Sequence, residues 1–362
     1  MHHIVIIRLL SILVCLYIIE NSMSHKTILV TGAGGYIGSI ASRLLLESNF
    51  NVIGIDNFGR GYKTPLTLLQ DSFGKDRITW SEVDLVTDNL EDLFRKNTID
   101  VIMHFASLCN VGESWDKPDL YFGNNVVGTQ RLAAAAIKTG VDKIIFSSTC
   151  AVYGDAKYIP IDENHPLTNP ASPYGATKKM CEEILDWYSR VGLIKYAFLR
   201  YFNVTGATDD SQLGDSKKPS FHLIQNAIRG ALGLDKFELN YASVNTPDGS
   251  PIRDYLNVVD LVNAHILAVK FLMEEKNKSD VFNLGTGQGN SVLEIVKLVK
   301  QKTGVDFGSS MAVNRRKGEA DKMIADFSKA KQVLGWQPTH TLEQSIESLL
   351  AWYKKHPTGW EK

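Results

Sequence analysis

The stretch ILVTGAGGYIGS, residues 28–39, constrains what this chain can fold into more than any other feature. An apolar run rich in β-branched residues ends at Gly32, and Gly35 and Gly38 follow within the next six residues. A strand that turns sharply, passes close to a phosphate and enters a tightly packed helix needs residues without a Cβ at such points. A cofactor-binding loop is the resulting hypothesis, although a glycine-rich turn between any strand and helix looks similar.

Short apolar strands alternate with helical stretches from residue 25 to about residue 205. Strands are expected at TILVTG, NVIGID, ITWSEVD, VIMHFA, KIIFSST and YAFLRYFN. This alternation predicts an α/β fold with a doubly wound parallel Rossmann sheet. After residue 205 the chain becomes polar and irregular, with a helix at about 221–232. Residues 206–362 are therefore predicted to form a smaller, mainly substrate-binding C-terminal lobe, with some elements returning to the first domain.

The overall charge and the cysteine spacing narrow the classes of partner. The 362 residues include 39 lysines and arginines and 40 aspartates and glutamates, for a net charge of −1. Such a balance gives no positive electrostatic field that would attract nucleic acid. A small ligand is therefore the more plausible partner. The cysteines form neither a zinc pattern nor a short-loop disulfide framework, so we expect free thiols and no metal at Cys15, Cys109, Cys150 and Cys181.

The N-terminus departs from this picture, because residues 4–19, IVIIRLLSILVCLYII, are apolar apart from Arg8 and Ser11. The uncharged part has the length of a signal-peptide core and falls short of the ~20 residues that span a bilayer. Residues 1–24 are interpreted as an apolar leader. Three alternatives stay open for it: a removed signal, a shallow anchor, or a segment upstream of a second start at Met23.

The glycine run follows a strand and opens a helix, which is the context that the dinucleotide fingerprint requires. Eighteen residues after Gly38, Asp56 ends the next strand, where a carboxylate accepts hydrogen bonds from both ribose hydroxyls and repels a 2′-phosphate. NAD is therefore favoured over NADP, although the nearby Arg60 weakens the inference. Asp84, at the end of ITWSEVD, is placed either to hold the adenine amino group or to cap a turn.

Tyr174 and Lys178, in SPYGATKKM, are four residues apart, so on a helix they lie on one face. An ammonium near a phenol favours the phenolate and brings a pKa of ~10 toward the working range. Alone, such a pair is more often an ordinary surface pair. After a dinucleotide loop and a strand ending in FSST, the favoured interpretation makes Tyr174 a general base. Thr149 adds a hydroxyl at the carboxyl end of that strand, where open α/β sheets bind ligands.

Eight segments after the leader form one set: TGAGGYIGS, HFASLCNVGES, FSSTCAVYGD, SPYGATK, RYFNVTGA, DGSPIRDY, FNLGTGQGNSV and RRKGEADK. Together they resemble the UDP-glucose 4-epimerase family of extended short-chain dehydrogenase/reductases. The resemblance runs from residue 27 to about residue 360. It implies an NAD that stays bound and is reduced and reoxidised within each turnover, and it implies no metal.

The resemblance assigns the cofactor contacts to the glycine loop and to segments after successive strands. They are Gly32, Gly35, Tyr36, Ile37, Gly38, Asp56, Asn57, Asp84, Leu85, Phe105, Ala106, Ser107, Asn124, Tyr174, Lys178 and Phe202. The implied catalytic residues are Tyr174, Lys178 and Thr149. Tyr174 would take the proton from the sugar 4-hydroxyl, and Thr149 would bridge the 4-oxygen and the phenol. Lys178 would bind the nicotinamide ribose and lower the pKa of the phenol.

The implied substrate is a UDP-sugar whose uridine diphosphate is held while the 4-keto hexose swings to present its other face. The substrate-binding positions are Thr149, Asn203, His222, Arg253, Arg316, Glu319 and Met323. Two guanidiniums suit a diphosphate geometrically. Met323 stands at the position where the family controls sugar size, so acceptance of N-acetylated sugars stays open.

This sequence departs from the family pattern at several positions. Cys109 stands where the family often has a lysine, which removes a positive charge near the cofactor. Glu319 replaces an aspartate that meets the uridine ribose, and His222 replaces an asparagine found in some members. The run LNYASVNTPDG, residues 239–249, also differs from the usual one. None of these departures changes the expected fold.

Three other functions share part of this pattern. The 4,6-dehydratases need an Asp-Glu pair directly after the hydroxyl residue, and here Cys150 and Ala151 occupy those positions. A UDP-arabinose/UDP-xylose 4-epimerase would use the same chemistry and is the runner-up to UDP-glucose 4-epimerase. A non-catalytic NAD-sensing protein would have no reason to retain Thr149, Tyr174 and Lys178 together.

We further expect a homodimer, membrane association only through residues 4–19, and a cytoplasmic location. The location rests on two N-glycosylation acceptors, NVT at Asn203 and NKS at Asn277. A glycan on Asn203 in a secretory lumen would block the expected nucleotide pocket, and lumenal oxidants would threaten Cys109 and Cys150. The leader argues for the opposite compartment, and a secretory or membrane-anchored form stays open.

Overall fold

The computed structural model describes residues 25–218, 220–237, 239, 243–307 and 320–360. The predicted leader and the expected substrate contacts Arg316 and Glu319 lie outside the described residues. None of the helices in the described part of the chain has the length and apolar character needed to cross a membrane. Across these ranges, no group of three or more acidic, histidine or cysteine side chains is arranged to hold a metal ion.

A parallel sheet of seven strands runs through the molecule in the order β3, β2, β1, β4, β5, β6, β10. Its strands are β1 Thr27–Thr31, β2 Asn51–Asp56, β3 Ile78–Glu82, β4 Val101–His104, β5 Lys143–Thr149, β6 Lys195–Tyr201 and β10 Asp280–Leu284. The chain starts at the centre, winds outward to one edge, and returns to build the other edge. The predicted doubly wound Rossmann fold is confirmed.

The helices that accompany the sheet alternate with its strands. They are α1 Tyr36–Glu47, α2 Thr64–Phe73, α3 Leu90–Lys96, α4 Val111–Asp116, α5 Pro118–Tyr121, α6 Gly128–Thr139, α7 Pro173–Arg190, α8 Leu223–Ala231, α9 Val258–Met273, α10 Val292–Thr303, α11 Ser328–Leu334 and α12 Leu342–Lys355. A π-helical segment, Phe122–Val127, leads into α6, and a 3₁₀ turn, Cys150–Tyr153, follows β5. Helix α8 is shorter than the predicted 221–232, because His222 is extended and forms its N-cap.

The central strands are buried on both faces, as the near-continuous apolar runs in the sequence predict. In β1, Ile28, Leu29 and Val30 are all fully buried. Ile28 and Val30 belong to a cluster with residues of α1 and α9, whereas Leu29 belongs to a second cluster with residues of α3 and α6. Helices on both faces therefore cover the sheet, which leaves its carboxyl edge as the place for ligands.

After β6 the chain forms two small sheets beside the large one. Strand β7, Asn203–Thr205, pairs in parallel with β9, Tyr255–Asn257. Strand β8, Ile252–Arg253, lies between β11, Asn290–Ser291, and β12, Lys322–Met323. Strand β10 instead pairs with β6 in the large sheet. The domain boundary at residue 205 stays a prediction.

A buried ion pair fastens α7 to the sheet. The guanidinium of Arg200, in β6, donates from Nε to Oε1 of Glu182 at 2.9 Å and from Nη2 to Oε2 at 2.5 Å. Both side chains are about one-twentieth exposed, at 6% and 5%. The hydroxyl of Ser148 donates to the same carboxylate at 2.5 Å, and Arg200 also donates to the Tyr153 hydroxyl at 3.1 Å. Helix α7 is thereby held against β5 and β6.

Substitution of Glu182 by glutamine tests this attachment. Removing the charge of one partner leaves the Arg200 guanidinium buried and uncompensated, so we expect the free energy of unfolding to fall by about 3–5 kcal/mol. Glu183→Gln is the matched control, because Glu183 is the next residue of α7 and is exposed. Its effect should stay within about 0.5 kcal/mol. Equal urea unfolding curves for the two variants would contradict the assignment.

Candidate active site

The glycine loop between β1 and α1 has no room for side chains at two of its positions. Gly32 has a φ of +70°, and a Cβ there would lie 2.8 Å from the backbone nitrogen of Ala106. A Cβ on Gly38 would lie 2.1 Å from the carbonyl oxygen of Gly32. Gly35 is the N-cap of α1, whose first N–H groups have no intrahelical partner and suit a diphosphate. The loop therefore fits the phosphate-binding role predicted for it.

Asp56, the last residue of β2, is fastened to this loop. Its Oδ2 accepts a hydrogen bond from the N–H of Gly34 at 3.0 Å, and its Oδ1 accepts one from the N–H of Phe58 at 2.8 Å. Burial raises the pKa of Asp56, and the two N–H groups act to lower it. The carboxylate thus lies between β2 and the glycine loop, where the adenosine ribose is expected.

Asp84 serves as a turn cap and also pairs with a second expected cofactor residue. Its Oδ1 accepts from the N–H of Val86 at 2.7 Å, and its Oδ2 accepts from Nδ2 of Asn57 at 2.8 Å. The bond from Asn57 is the main cause that lowers the pKa of Asp84. Asp84 therefore caps a turn, as one of its two predicted roles requires, while its contact with the adenine stays a prediction.

The loop after β4 and the π-helical segment carry the next expected cofactor residues. The N–H of Ala106 donates to the Thr31 hydroxyl at 3.2 Å, which ties this loop to the end of β1. The amide of Asn124 donates to Oδ1 of Asn125 at 2.9 Å. π-Helical turns are frequent at functional sites. Together these segments continue the carboxyl edge on which Phe105, Ala106, Ser107 and Asn124 were predicted.

Tyr174 and Lys178 lie in the first turns of α7, as their spacing predicts. The hydroxyl of Ser172 caps the helix by accepting from the N–H of Gly175 at 3.1 Å, and Pro173 occupies its first position. Tyr174 is 8% exposed and Lys178 is 3% exposed. The Lys178 ammonium lies 4.5 Å from the ring centroid of Phe146, in β5. The pair is therefore a buried feature and not a solvated surface pair.

The electrostatics of Tyr174 differ from the sequence expectation in one respect. Burial raises the pKa of Tyr174 well above its ordinary value, and Cys109 and Tyr201 add to the rise, while Thr149 acts to lower it. The ammonium of Lys178 does not overcome this in the protein alone. Burial also lowers the pKa of Lys178 to about 8. A lowered phenol pKa would therefore need a further positive charge near Tyr174, which an oxidised nicotinamide ring would supply if bound there.

A cavity of about 810 Å³ opens between the carboxyl edge of the sheet and the C-terminal part of the chain. It brings together nine of the predicted site residues: Tyr36, Ile37, Thr149, Tyr174, Phe202, Asn203, His222, Arg253 and Met323. The other predicted cofactor residues within the described ranges do not line this cavity.

The C-terminal wall of the cavity comes from the small sheets and the N-cap of α8. Met323 pairs with Arg253 between β12 and β8, so the two side chains belong to neighbouring strands. Asn203 begins β7, and its N–H donates to the carbonyl of Asp254 at 3.0 Å. Burial lowers the pKa of His222 to about 4, and Lys217 adds to the fall, so this imidazole is neutral at pH 7.

Several other lining residues carry no signal in the sequence that would mark them as site residues. They include Lys217, Phe221, Asn226 and Trp115. Lys217 lies in the polar run GATDDSQLGDSKKPS, which has neither a helical nor a strand period. No local pattern separates it from the neighbouring Lys218, and only the folded chain brings it to the cavity.

Comparisons with known proteins agree with this geometry. A family model described as GDP-mannose 4,6 dehydratase matches residues 29–349. A UDP-glucose 4-epimerase of Lactobacillus helveticus is 41% identical over 342 residues, which cover 92% of this chain and 99% of that protein. The structure of the Bifidobacterium longum UDP-glucose 4-epimerase in complex with NAD⁺ and UDP is 35% identical, with a TM-score of 0.88, and the match covers 92% of this chain and all of that one.

A further structure bears on the sugar. The UDP-glucose 4-epimerase of Stenotrophomonas maltophila, with bound NAD and formylated UDP-arabinopyranose, is 32% identical with a TM-score of 0.86. The match covers 92% of this chain and 99% of that one. Fold, glycine loop and Tyr-Lys pair together define an NAD-dependent extended short-chain dehydrogenase/reductase. Within that class, the chain belongs to the UDP-glucose 4-epimerase family.

Gly38→Ala tests the cofactor loop. The added methyl group would collide with the Gly32 carbonyl, so we expect the purified protein to lose most of its NAD. Gly123→Ala is the matched control, since a Cβ at that position meets no atom within 4 Å. NAD is released with acid and quantified per chain, and circular dichroism establishes that both variants are folded. Wild-type NAD content in folded Gly38→Ala would contradict the role of this loop.

Proposed function

We propose that this chain interconverts UDP-glucose and UDP-galactose by inverting C4 of the hexose. The observation that carries the proposal is the buried set Thr149, Tyr174 and Lys178 beside a cavity large enough for a nucleotide sugar. Two of the three, Thr149 and Tyr174, line that cavity directly. Bound NAD would supply the hydride acceptor for C4 and the hydride donor for reduction from the opposite face.

The chain's own residues transfer the proton and bind the substrate and the cofactor ribose. Tyr174 takes the proton from the 4-hydroxyl as the C4–H bond breaks, and gives it back when the 4-keto sugar is reduced, so the proton balance closes over one turnover. Thr149, beside the phenol, steadies the 4-oxygen. Lys178, with a pKa of about 8, is charged at neutral pH and stabilises the phenolate as well as the cofactor ribose.

The 4-keto hexose must rotate to present its other face while the uridine diphosphate stays bound. We assign the holding of uridine diphosphate to Asn203, His222 and Arg253, which line the cavity. Arg316 and Glu319, outside the described residues, keep their predicted role as further contacts. The hexose then occupies the part of the cavity next to Tyr174 and presents either face in turn.

Two alternatives are less well supported. Dehydration needs a carboxylate acid/base pair after Thr149, but that place is taken by the 3₁₀ turn containing Cys150 and Ala151. Burial raises the pKa of the Cys150 thiol to about 12, so it is a poor substitute. A purely NAD-sensing protein would not need Tyr174 and Lys178 buried beside a nucleotide-sized cavity.

A UDP-arabinose/UDP-xylose 4-epimerase is the second candidate, because it would use the same residues. The test supplies purified protein with UDP-galactose and with UDP-arabinose separately, without added NAD, and identifies the products. We expect conversion of UDP-galactose to UDP-glucose. Conversion of the pentose substrate alone would favour the second candidate, and conversion of neither would refute both.

We propose that the protein is a homodimer formed through α7. This helix exposes Met180 and Trp187, at 42% and 64%, and the helical segments packed against it expose Trp115, Leu120 and Val127. Large exposed apolar side chains on helices that pack together are typical of an interface. Sedimentation should give a dimer for the wild type and a monomer for Trp187→Glu; a monomeric wild type would contradict the proposal.

We also propose a cytosolic location, with any membrane association confined to residues 4–19. Asn203 lies in β7, paired with Tyr255, and lines the cavity, so a glycan there is incompatible with substrate binding. The full-length chain is expressed in its own cells, treated with a glycosidase and weighed by mass spectrometry. An unchanged mass is expected; a glycan on Asn277 or cleavage after Ser24 would overturn the location.

Tyr174→Phe removes the proposed base and keeps the ring. We expect turnover to fall by about 100- to 10,000-fold, with NAD still bound. Tyr188→Phe is the control on the same helix, since Tyr188 lies away from the cavity and bonds only weakly to Gln130 at 3.4 Å. UDP-galactose conversion and NAD content are measured for both. Turnover within about threefold of wild type in Tyr174→Phe would refute the assignment.

Met323 tests the control of sugar size. It lies in a buried apolar cluster with Val152, Tyr153 and Phe202, and its flexible side chain can repack around an acetamide group. We expect slow interconversion of UDP-N-acetylglucosamine and UDP-N-acetylgalactosamine beside the hexose pair. Met323→Ala should raise the ratio of N-acetylhexose to hexose activity, and Met323→Tyr should lower it. An unchanged ratio in both variants would refute the role of this residue.

A further inference from the structure

The ammonium of Lys217 lies at the cavity without a carboxylate partner. Lys217 belongs to the loop between β7 and α8 and lines the cavity. Its Nζ is 3.9 Å from Sγ of Cys109 and 4.9 Å from the ring centroid of Phe221. Within the described ranges, these are the hydrogen bond and the ring contact of its ammonium, and no ion pair joins it to a carboxylate. Asp215, two residues earlier in the loop, accepts instead from the Lys217 backbone N–H at 3.2 Å.

This lysine is charged at neutral pH. Its half-burial acts to lower the pKa, but Cys109 and Asp215 outweigh that effect, and the pKa of Lys217 lies above its ordinary value. An ammonium has three N–H donors, and a thiol and an aromatic ring are weak partners for them. Leaving such donors without good acceptors in a half-buried position costs free energy. The position therefore suits an anion supplied by a ligand.

The location of Lys217 indicates which anion. Cys109 belongs to the segment after β4, two residues beyond Ser107, in the loop tied to Thr31 by Ala106. The glycine loop packs directly on Ala106. Both molecules expected in the cavity, NAD and the sugar nucleotide, carry a diphosphate as their strongest anionic group. The ammonium reaches this region from the C-terminal part of the chain.

We propose that Lys217 donates a charge-assisted hydrogen bond to a nucleotide diphosphate, and that this diphosphate is the cofactor's. The inference rests on the proposed function for the identity of the ligands. Lys217 brings a positive charge to within 3.9 Å of the Cys109 sulfur from another part of the chain. The same bond would join the C-terminal part of the chain to the bound cofactor.

Lys217→Met removes the charge, keeps a long apolar stem and is the decisive variant. We expect the dissociation constant for NAD to rise by about tenfold to 150-fold, as for loss of a hydrogen bond to a charged group. Lys217→Arg should retain wild-type affinity. Lys218→Met is the matched control, because Lys218 is exposed and its ammonium donates to the Thr358 carbonyl. NAD binding is measured by calorimetry after removal of bound NAD, and UDP binding is measured on the NAD-loaded protein.

A rescue variant separates a charge effect from a packing effect. Adding Cys109→Lys to Lys217→Met places an ammonium on the opposite side of the same contact and should restore NAD affinity. Loss of NAD affinity with unchanged UDP affinity supports the cofactor's diphosphate. Loss of UDP affinity alone would overturn that source in favour of the sugar nucleotide, and unchanged affinity for both would overturn the proposal. A wild type that binds both nucleotides but converts no UDP-sugar would refute the proposed function alone.

Discussion

The buried pair between Arg200 and Glu182 is the interaction on which the rest of the site depends. It lies at the contact between β6 and α7, where a bidentate bond replaces the hydration that both charges lose. Glu182 is one helical turn beyond Lys178 and two beyond Tyr174, so the attachment fixes the direction of both side chains. The Ser148 hydroxyl donates to the same Glu182 carboxylate. Ser148 directly precedes Thr149, so the ion pair is also connected to the third proposed catalytic residue.

The cavity adds a second constraint, because it exists only where the two parts of the chain meet. The sheet contributes the glycine loop, which has no room for a Cβ at Gly32 or Gly38, and the ends of β4 and β5. The later part contributes Arg253 and Met323 from neighbouring short strands, and Lys217 from a loop. An enzyme that keeps its cofactor bound while the sugar rotates needs two different cavity walls. The wall that binds the cofactor is fixed, and the wall that binds the substrate is more variable.

The fold and the core of the site follow from local patterns. The glycine loop could be predicted because three residues without a Cβ stand between a strand and a helix, and the Tyr174–Lys178 pair because four residues make about one helical turn. The pairing of Glu182 with Arg200 and the approach of Lys217 to Cys109 could not, since each depends on where distant segments pack. The direction of the Tyr174 pKa was missed for the same reason: spacing shows the nearby ammonium but not the burial that outweighs it.

The central claim is that one hydride leaves C4 of the sugar and returns to the same carbon without meeting solvent. The most direct measurement supplies UDP-galactose carrying deuterium at C4 to the protein as purified, in ordinary water and without added NAD. The product UDP-glucose is then analysed by nuclear magnetic resonance. The account predicts that deuterium is retained at C4 and that hydrogen from water does not appear there. Loss of the label to solvent, at a rate matching turnover, would contradict it.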